Sequence, residues 1–150
     1  MNKRVLFICV HNSARSQMAA AFTNHYGKGR MTADSAGLEP GTLNPYVVKV
    51  MAERGIDISR NTPKSVMDVY QAGKPFDIIV TVCDPEAGQR CPVFPGEAER
   101  LHWAFADPSV LHGDESFILA ETRKIRDAIE EKVRQWIKEI KWEKSKNLDC

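Results

Sequence analysis

The sequence predicts an α/β fold, a four-stranded parallel sheet with helices on both faces. Three observations lead there. Short apolar runs alternate along the chain with stretches of helical spacing. The run Phe76-Asp77-Ile78-Ile79-Val80-Thr81-Val82 is β-branched and nearly continuous, as strands covered on both faces are. The final quarter carries one long apolar stripe of helical period. Strands alternating with helices need right-handed crossovers, which place helices against the sheet and bring all carboxyl ends of the strands to one edge, where ligands bind.

Each element has its own signal. Val5 to Ile8 is an apolar run suited to a buried parallel strand, and Met18, Ala21 and Phe22 give the residues from Ser13 a helical face until Gly27-Lys28-Gly29 stops it. Met31 to Ser35 is a second strand, closed by Ser35-Ala36-Gly37 and a turn-rich stretch through Gly41. Asn44-Pro45 is an N-cap with proline at the first helical position, and Val47, Val48, Val50 and Met51 continue that helix towards Gly55. After a turn at Asn61-Thr62-Pro63, a short helix is expected near Val66 to Ala72. Phe76 to Val82 is the third strand and ends at Cys83; residues 84 to 97, with three prolines and two glycines, form a loop. Arg100 to Trp103 is the fourth strand, followed by a loop from Ala104 to Gly113. The last helix starts at about Asp114 and lines up Ile118, Ile125, Ile129, Val133, Trp136, Ile137 and Ile140.

At 150 residues the expectation is one domain, residues 1–150, with 141–150 a polar tail. A chain of this size buries roughly two-thirds of its unfolded surface and needs no staple. A net charge of +1, from 21 basic and 20 acidic residues, leaves no nucleic-acid or membrane footprint. The apolar stretch after Met1-Asn2-Lys3-Arg4 breaks off at His11-Asn12, too short for a secretory signal, and nothing reaches the length of a membrane span. The expectation is therefore a cytoplasmic monomer, in which Cys9, Cys83, Cys91 and Cys150 are reactive or incidental thiols rather than structural disulfides.

The chemistry concentrates at Cys9-Val10-His11-Asn12-Ser13-Ala14-Arg15-Ser16, between the first strand and the first helix. A sulfur at a helix N-terminus meets unpaired N–H groups and the positive end of the dipole, which favour a thiolate. Arg15 adds a planar fork suited to a tetrahedral oxyanion, and successive loop N–H groups bind such an anion without a lysine. Asn12 suits a left-handed turn, while Ser13 and Ser16 can hydrogen-bond the sulfur or the loop. The pattern implies covalent attack by Cys9 on a bound tetrahedral oxyanion.

Two further groups fall on the same edge. Asp107, after the fourth strand, supplies the carboxyl group that protonating an oxygen leaving group requires, although Asp107-Pro108 by itself reads as a turn. Cys83, after the third strand, and Cys91 flank a proline-rich loop. The seven residues between them exceed the spacing of zinc ligands, and no His/Cys pair accompanies them. If the loop closed, a thiol relay could run from Cys9 to Cys83 to Cys91. No metal and no cofactor are expected.

These residues resemble a known family. The loop from Cys9 to Ser16, Ser35-Ala36-Gly37, Asp57-Ile58-Ser59, Val80-Thr81-Val82-Cys83, Cys91-Pro92, His102-Trp103 and Asp107-Pro108 look like the thioredoxin-coupled arsenate reductases, which share the low-molecular-weight tyrosine phosphatase fold. The resemblance implies that Cys9 attacks arsenate, that Arg15 and the loop amides bind its oxygens, and that Asp107 protonates the departing oxygen. It further implies that Cys83 attacks Cys9 to release arsenite, and that Cys91 takes over the disulfide with Cys83 for reduction by thioredoxin. Members with a potassium ion near the loop hold it by an Asn, a Glu, a Ser and an Asp; Asn12 and Ser35 match, whereas Ala20 stands at the Glu position and removes a carboxylate that a hard cation wants. The alternative function is a phosphatase acting on phosphotyrosine or small phosphoesters through a phospho-Cys9 intermediate. Ser109-Val110-Leu111-His112, rather than tyrosines, follows Asp107-Pro108, which points away from an aromatic substrate. A third reading is a thiol-based sensor without turnover.

Overall fold

A computed structural model describes residues 2–83 and 96–140. Four parallel strands form its sheet: β1 (Lys3–Cys9), β2 (Met31–Gly37), β3 (Ile78–Val82) and β4 (Glu99–Trp103), in the order β2-β1-β3-β4. The helices are α1 (Arg15–Tyr26), α2 (Pro45–Ala52), α3 (Val66–Gln71) and α4 (Glu115–Glu139), with a 3-10 turn at Pro108–Val110. The expected loop over residues 84 to 97 is described only from Gly96, and Cys91, Cys150 and the expected tail lie outside the described residues.

Strand alternation divides the interior into two layers. Val5, Phe7 and Cys9 of β1 and Ile78, Val80 and Val82 of β3 turn towards Met18 and Phe22 of α1 and Ile129, Val133 and Ile137 of α4. Phe7 and Trp103 sit 5.6 Å apart and Trp103 and Trp136 5.1 Å apart, between ring centroids. Leu6, Ile8 and Ile79 face the other way, where Val69 of α3 covers them. Helices thus lie on both faces, as the alternation predicts, but among the described residues the second face carries only one short helix.

Caps follow the sequence signals. The Asn44 side chain accepts from the N–H groups of Tyr46 and Val47, Ser65 caps α3 through the Asp68 N–H, and Asp114 caps α4 through that of Phe117. β2 runs past Ser35 to Gly37, because it pairs residue for residue with β1 as far as Cys9. α4 buries Thr122, Arg126 and Glu130 along with its apolar stripe. These polar groups are partnered: Arg126 Nη1 donates to Val50 O at 2.9 Å and to Glu53 Oε1 at 2.6 Å, and Tyr26 donates to Glu130 Oε2 at 2.5 Å.

Candidate active site

The eight-residue loop sits at the carboxyl end of β1, beside the point where onward connections diverge, from β1 to β2 on one side and from β3 to β4 on the other. Its carbonyls are held from outside. Cys9 O accepts from Leu38 N–H, Val10 O from Glu39 N–H, His11 O from Gly41 N–H and Ser13 O from Asn44 N–H, at 2.8 to 3.1 Å, while Gln17 Nε2 donates to Asn12 O at 3.1 Å. In a planar trans peptide the N–H points opposite to the C=O. Five carbonyls turned outward therefore aim the N–H groups of residues 10 to 14 inward, around one point.

Asn12 makes the reversal with φ of 54°, the left-handed conformation expected of it and unique among the described non-glycine residues. α1 then begins at Arg15 with no side-chain cap, so its first N–H groups keep the polarity that draws an anion.

Cys9 is buried beneath this cradle. Its Sγ receives the Asn12 backbone N–H at 3.1 Å and lies 2.9 Å from Ser16 Oγ. Asn12 Nδ2 donates to that same hydroxyl oxygen at 2.7 Å, which leaves the hydroxyl hydrogen to point at sulfur. Asn12 Oδ1 in turn accepts from Lys64 N–H at 2.9 Å and Gln17 Nε2 at 3.2 Å, and Asn61 Nδ2 donates to Gln17 Oε1 at 3.0 Å. The sulfur is thus the end of a buried chain of donors, and hydrogen bonds received by sulfur stabilise negative charge there. Gln17, Asn61 and Lys64 were not legible as site residues; a polar residue at the third position of α1 is the only trace of them in the pattern.

Arg15 enters from the first turn of α1. Its Nη1 donates to Phe105 O at 3.1 Å, and its Nη2 lies 3.4 Å from Asp107 Oδ2, with side-chain exposures of 3% and 11% for Arg15 and Asp107. Asp107 also caps the 3-10 turn, its Oδ1 accepting from Ser109 N–H at 2.9 Å. Cap and ion pair together fix the carboxyl group at the mouth of the cradle. The His11 ring is turned away, with Nδ1 2.9 Å from Glu39 O.

Cys83 follows β3, the neighbour of β1. Alternation puts Cys9 on the α1 side with Phe7, and Cys83 on the opposite side with Ile79 and Thr81. Cys9 is a free thiol, whereas Cys83 is disulfide-bonded. Behind Asn12, a cleft of about 420 Å³ is lined by Ala20, Ser35, Asp34 and Lys64, and in it the Lys64 ammonium is paired with the Asp34 carboxylate. Among the described residues no three His, Cys, Asp or Glu side chains gather as metal ligands.

The family model for low molecular weight phosphotyrosine protein phosphatase matches residues 4–146. An arsenate reductase of Halalkalibacterium halodurans is 38% identical over 136 residues, covering 89% of this chain and 95% of that protein. The crystal structure of an arsenate reductase from Archaeoglobus fulgidus superposes with a TM-score of 0.74 at 34% identity, over 90% of this chain and 99% of that one. A thioredoxin-dependent arsenate reductase of Corynebacterium glutamicum superposes with a TM-score of 0.64 at 33% identity, over 91% of this chain and 60% of that one.

Proposed function

The chain belongs to the low molecular weight phosphotyrosine protein phosphatase family, and within it we propose that this protein is an arsenate reductase, converting arsenate to arsenite through Cys9, Cys83 and Cys91 and regenerated by thioredoxin. The observation that carries the reading is the division of labour between two neighbouring strand ends: a free thiol at Cys9 inside an oxyanion cradle, and a disulfide-bonded sulfur at Cys83 one strand away. The similarity to arsenate reductases over about nine-tenths of the chain supports it.

Arsenate docks on the inward N–H groups of residues 10 to 14 and the Arg15 guanidinium. Cys9 Sγ bonds to arsenic as an As–O bond breaks, and the departing oxygen takes a proton from Asp107 and leaves as water. The Cys83 thiolate next attacks Cys9 Sγ. A disulfide forms, the S–As bond breaks with its electron pair on arsenic, and As(V) leaves as As(III), arsenite. Since Cys9 and Cys83 lie on opposite sides of the sheet edge, this step requires Cys83 to cross that edge. Cys91 then attacks Cys83, returning Cys9 as a thiolate, and the dithiol of thioredoxin reduces the Cys83–Cys91 disulfide.

The same cradle accepts a phosphate monoester, so slow phosphatase turnover accompanies reduction, with water in place of Cys83. The Cys9, Arg15 and Asp107 roles, the monomeric state and the cytoplasmic setting, with neither nucleic acid nor membrane as partner, belong to the same proposal; no helix among the described residues is long and apolar enough to cross a membrane. The deciding assay is arsenate-dependent NADPH oxidation with thioredoxin and its reductase, run beside a glutathione system. Cys83→Ser and Cys91→Ser are expected to abolish multiple turnover while retaining phosphoester hydrolysis. Undiminished arsenate turnover in both variants overturns the relay.

A further inference from the structure

We propose that His102 is a positioning residue for Cys83, holding its sulfur as the thiolate that attacks Cys9. The inference deepens the relay proposed above and rests on it. His102 lies on β4 directly beside Thr81 of β3 in the sheet register, and the side chains of both project to the face on which Cys83 falls. Its Nδ1 is 2.9 Å from Thr81 Oγ1 and 3.9 Å from Cys83 Sγ.

The proposed tautomer carries the hydrogen on Nδ1. In it the Thr81 hydroxyl oxygen accepts from the ring while its own hydrogen has Leu101 O as acceptor at 3.4 Å. That N–H is shared between the hydroxyl oxygen and the sulfur. A disulfide sulfur is a weak acceptor, whereas a thiolate is a strong one, so the contact strengthens when Cys83 is released by reduction. The ring is exposed and lies on the sheet edge, free to follow the sulfur without disturbing the core.

In the relay this hydrogen bond acts on one step. Cys83 has given up its proton to solvent water before it attacks Cys9 Sγ; the new S–S bond forms from the thiolate's electron pair as the S–As bond breaks with its pair on arsenic. His102 holds the sulfur anion without itself bonding to arsenic or to Cys9.

The test measures iodoacetamide alkylation of Cys83 in the fully reduced protein, resolved by peptide mass spectrometry, with Cys9 in the same sample as reference. His102→Ala is expected to slow Cys83 alkylation about tenfold, the scale of one charge-assisted hydrogen bond at a part-buried site. His102→Asn places an amide N–H where Nδ1 stood and is expected to restore the rate to within about threefold. Thr81→Val, which removes the hydroxyl that orients the ring, is expected to give an intermediate rate. Equal Cys83 alkylation in wild type and His102→Ala overturns the inference, as does an Asn variant as slow as the Ala variant, which marks a merely structural residue. Full arsenate turnover by Cys83→Ser overturns the relay instead, a result that the alkylation rates do not affect.

Discussion

Gly37, at the end of β2, lies against Asn12 so closely that a Cβ on it would stand 2.7 Å from the Asn12 backbone nitrogen. The same Cβ would meet His11 C at 2.8 Å and Val10 O at 2.9 Å. All three atoms are backbone of the cradle, so none can swing away as a flexible side chain would. Gly37 N–H also donates to Lys64 O at 2.8 Å, tying β2 to the segment that holds Asn12 Oδ1. The cradle is shaped from behind by the absence of a side chain. Gly37→Ala is therefore expected to push the loop out of register, costing about 1–3 kcal/mol of stability as an overpacked site does. Hydrolysis of p-nitrophenyl phosphate is expected to fall more than tenfold, since an ångström of displacement in a preorganised oxyanion site is felt strongly. Denaturant melts and initial rates check both; a variant with wild-type rates would show that the loop relaxes freely.

The donor chain ending on Cys9 makes a second prediction. Asn12→Asp keeps a residue that tolerates the left-handed turn, but it replaces the Nδ2 donor facing Ser16 by an acceptor. The Ser16 hydrogen then turns to the carboxylate and away from sulfur. Both Asn12→Asp and Ser16→Ala are expected to slow iodoacetamide alkylation of Cys9 by about tenfold, the loss of one hydrogen bond to a charged acceptor. Alkylation as fast as in the wild type would mean that the Asn12 N–H alone suffices.

Much of this was legible in the chain because strand and helix signals are local. The N-cap Asn44-Pro45, the β-branched run through Val82 and the positive φ at Asn12 each depend on residues a few positions apart. Arg15 and Asp107 could be placed on one edge from topology alone, since parallel strands share it. What escaped is the part built by distant segments. The carbonyls of residues 9 to 13 are turned outward chiefly by the N–H groups of residues 38 to 44, whose sequence shows only a turn-rich stretch. Likewise Lys64 contributes to the site through its backbone N–H, which no residue pattern reports. The burial of Arg126 and Glu130 escaped for a different reason: their partners Tyr26, Val50, Glu53 and Arg54 lie on α1, on α2 and in the turn after it, far from them in sequence.

Arg15 and Asp107 should separate in their kinetics. Arg15 is buried, and its fork serves Phe105 O and Asp107 while facing the cradle. Arg15→Lys keeps the charge but loses the planar two-point geometry. Its kcat/KM is expected to fall at least 100-fold, about 3 kcal/mol, with a large share in KM. Asp107→Asn keeps the cap on Ser109 N–H but cannot give up a proton, so kcat is expected to fall about 10²–10³-fold with KM little changed. Steady-state kinetics of both variants decide; an unaltered kcat in Asp107→Asn would remove it from the chemistry.

The ion network between α2 and α4 predicts a pH signature in stability that is separate from catalysis. The Glu53 carboxylate receives Arg123 Nε and Nη2 at 2.8 to 3.1 Å and Arg126 Nη1 at 2.6 Å. Those hydrogen bonds, first from Arg123 and then from Arg126, hold its pKa down at about 2, against an ordinary 4.5. A carboxylate depressed on folding stabilises the native state above its unfolded pKa, and that contribution is lost as the pH falls through the folded value. With the Glu53 side chain 38% exposed, solvent screening limits the effect to about 1 kcal/mol. Urea melts of wild type and Glu53→Gln are therefore expected to differ by that amount above about pH 5 and to converge between pH 4.5 and about 2. A gap that persists undiminished at the acid end would assign it to packing of the longer side-chain contacts rather than to charge.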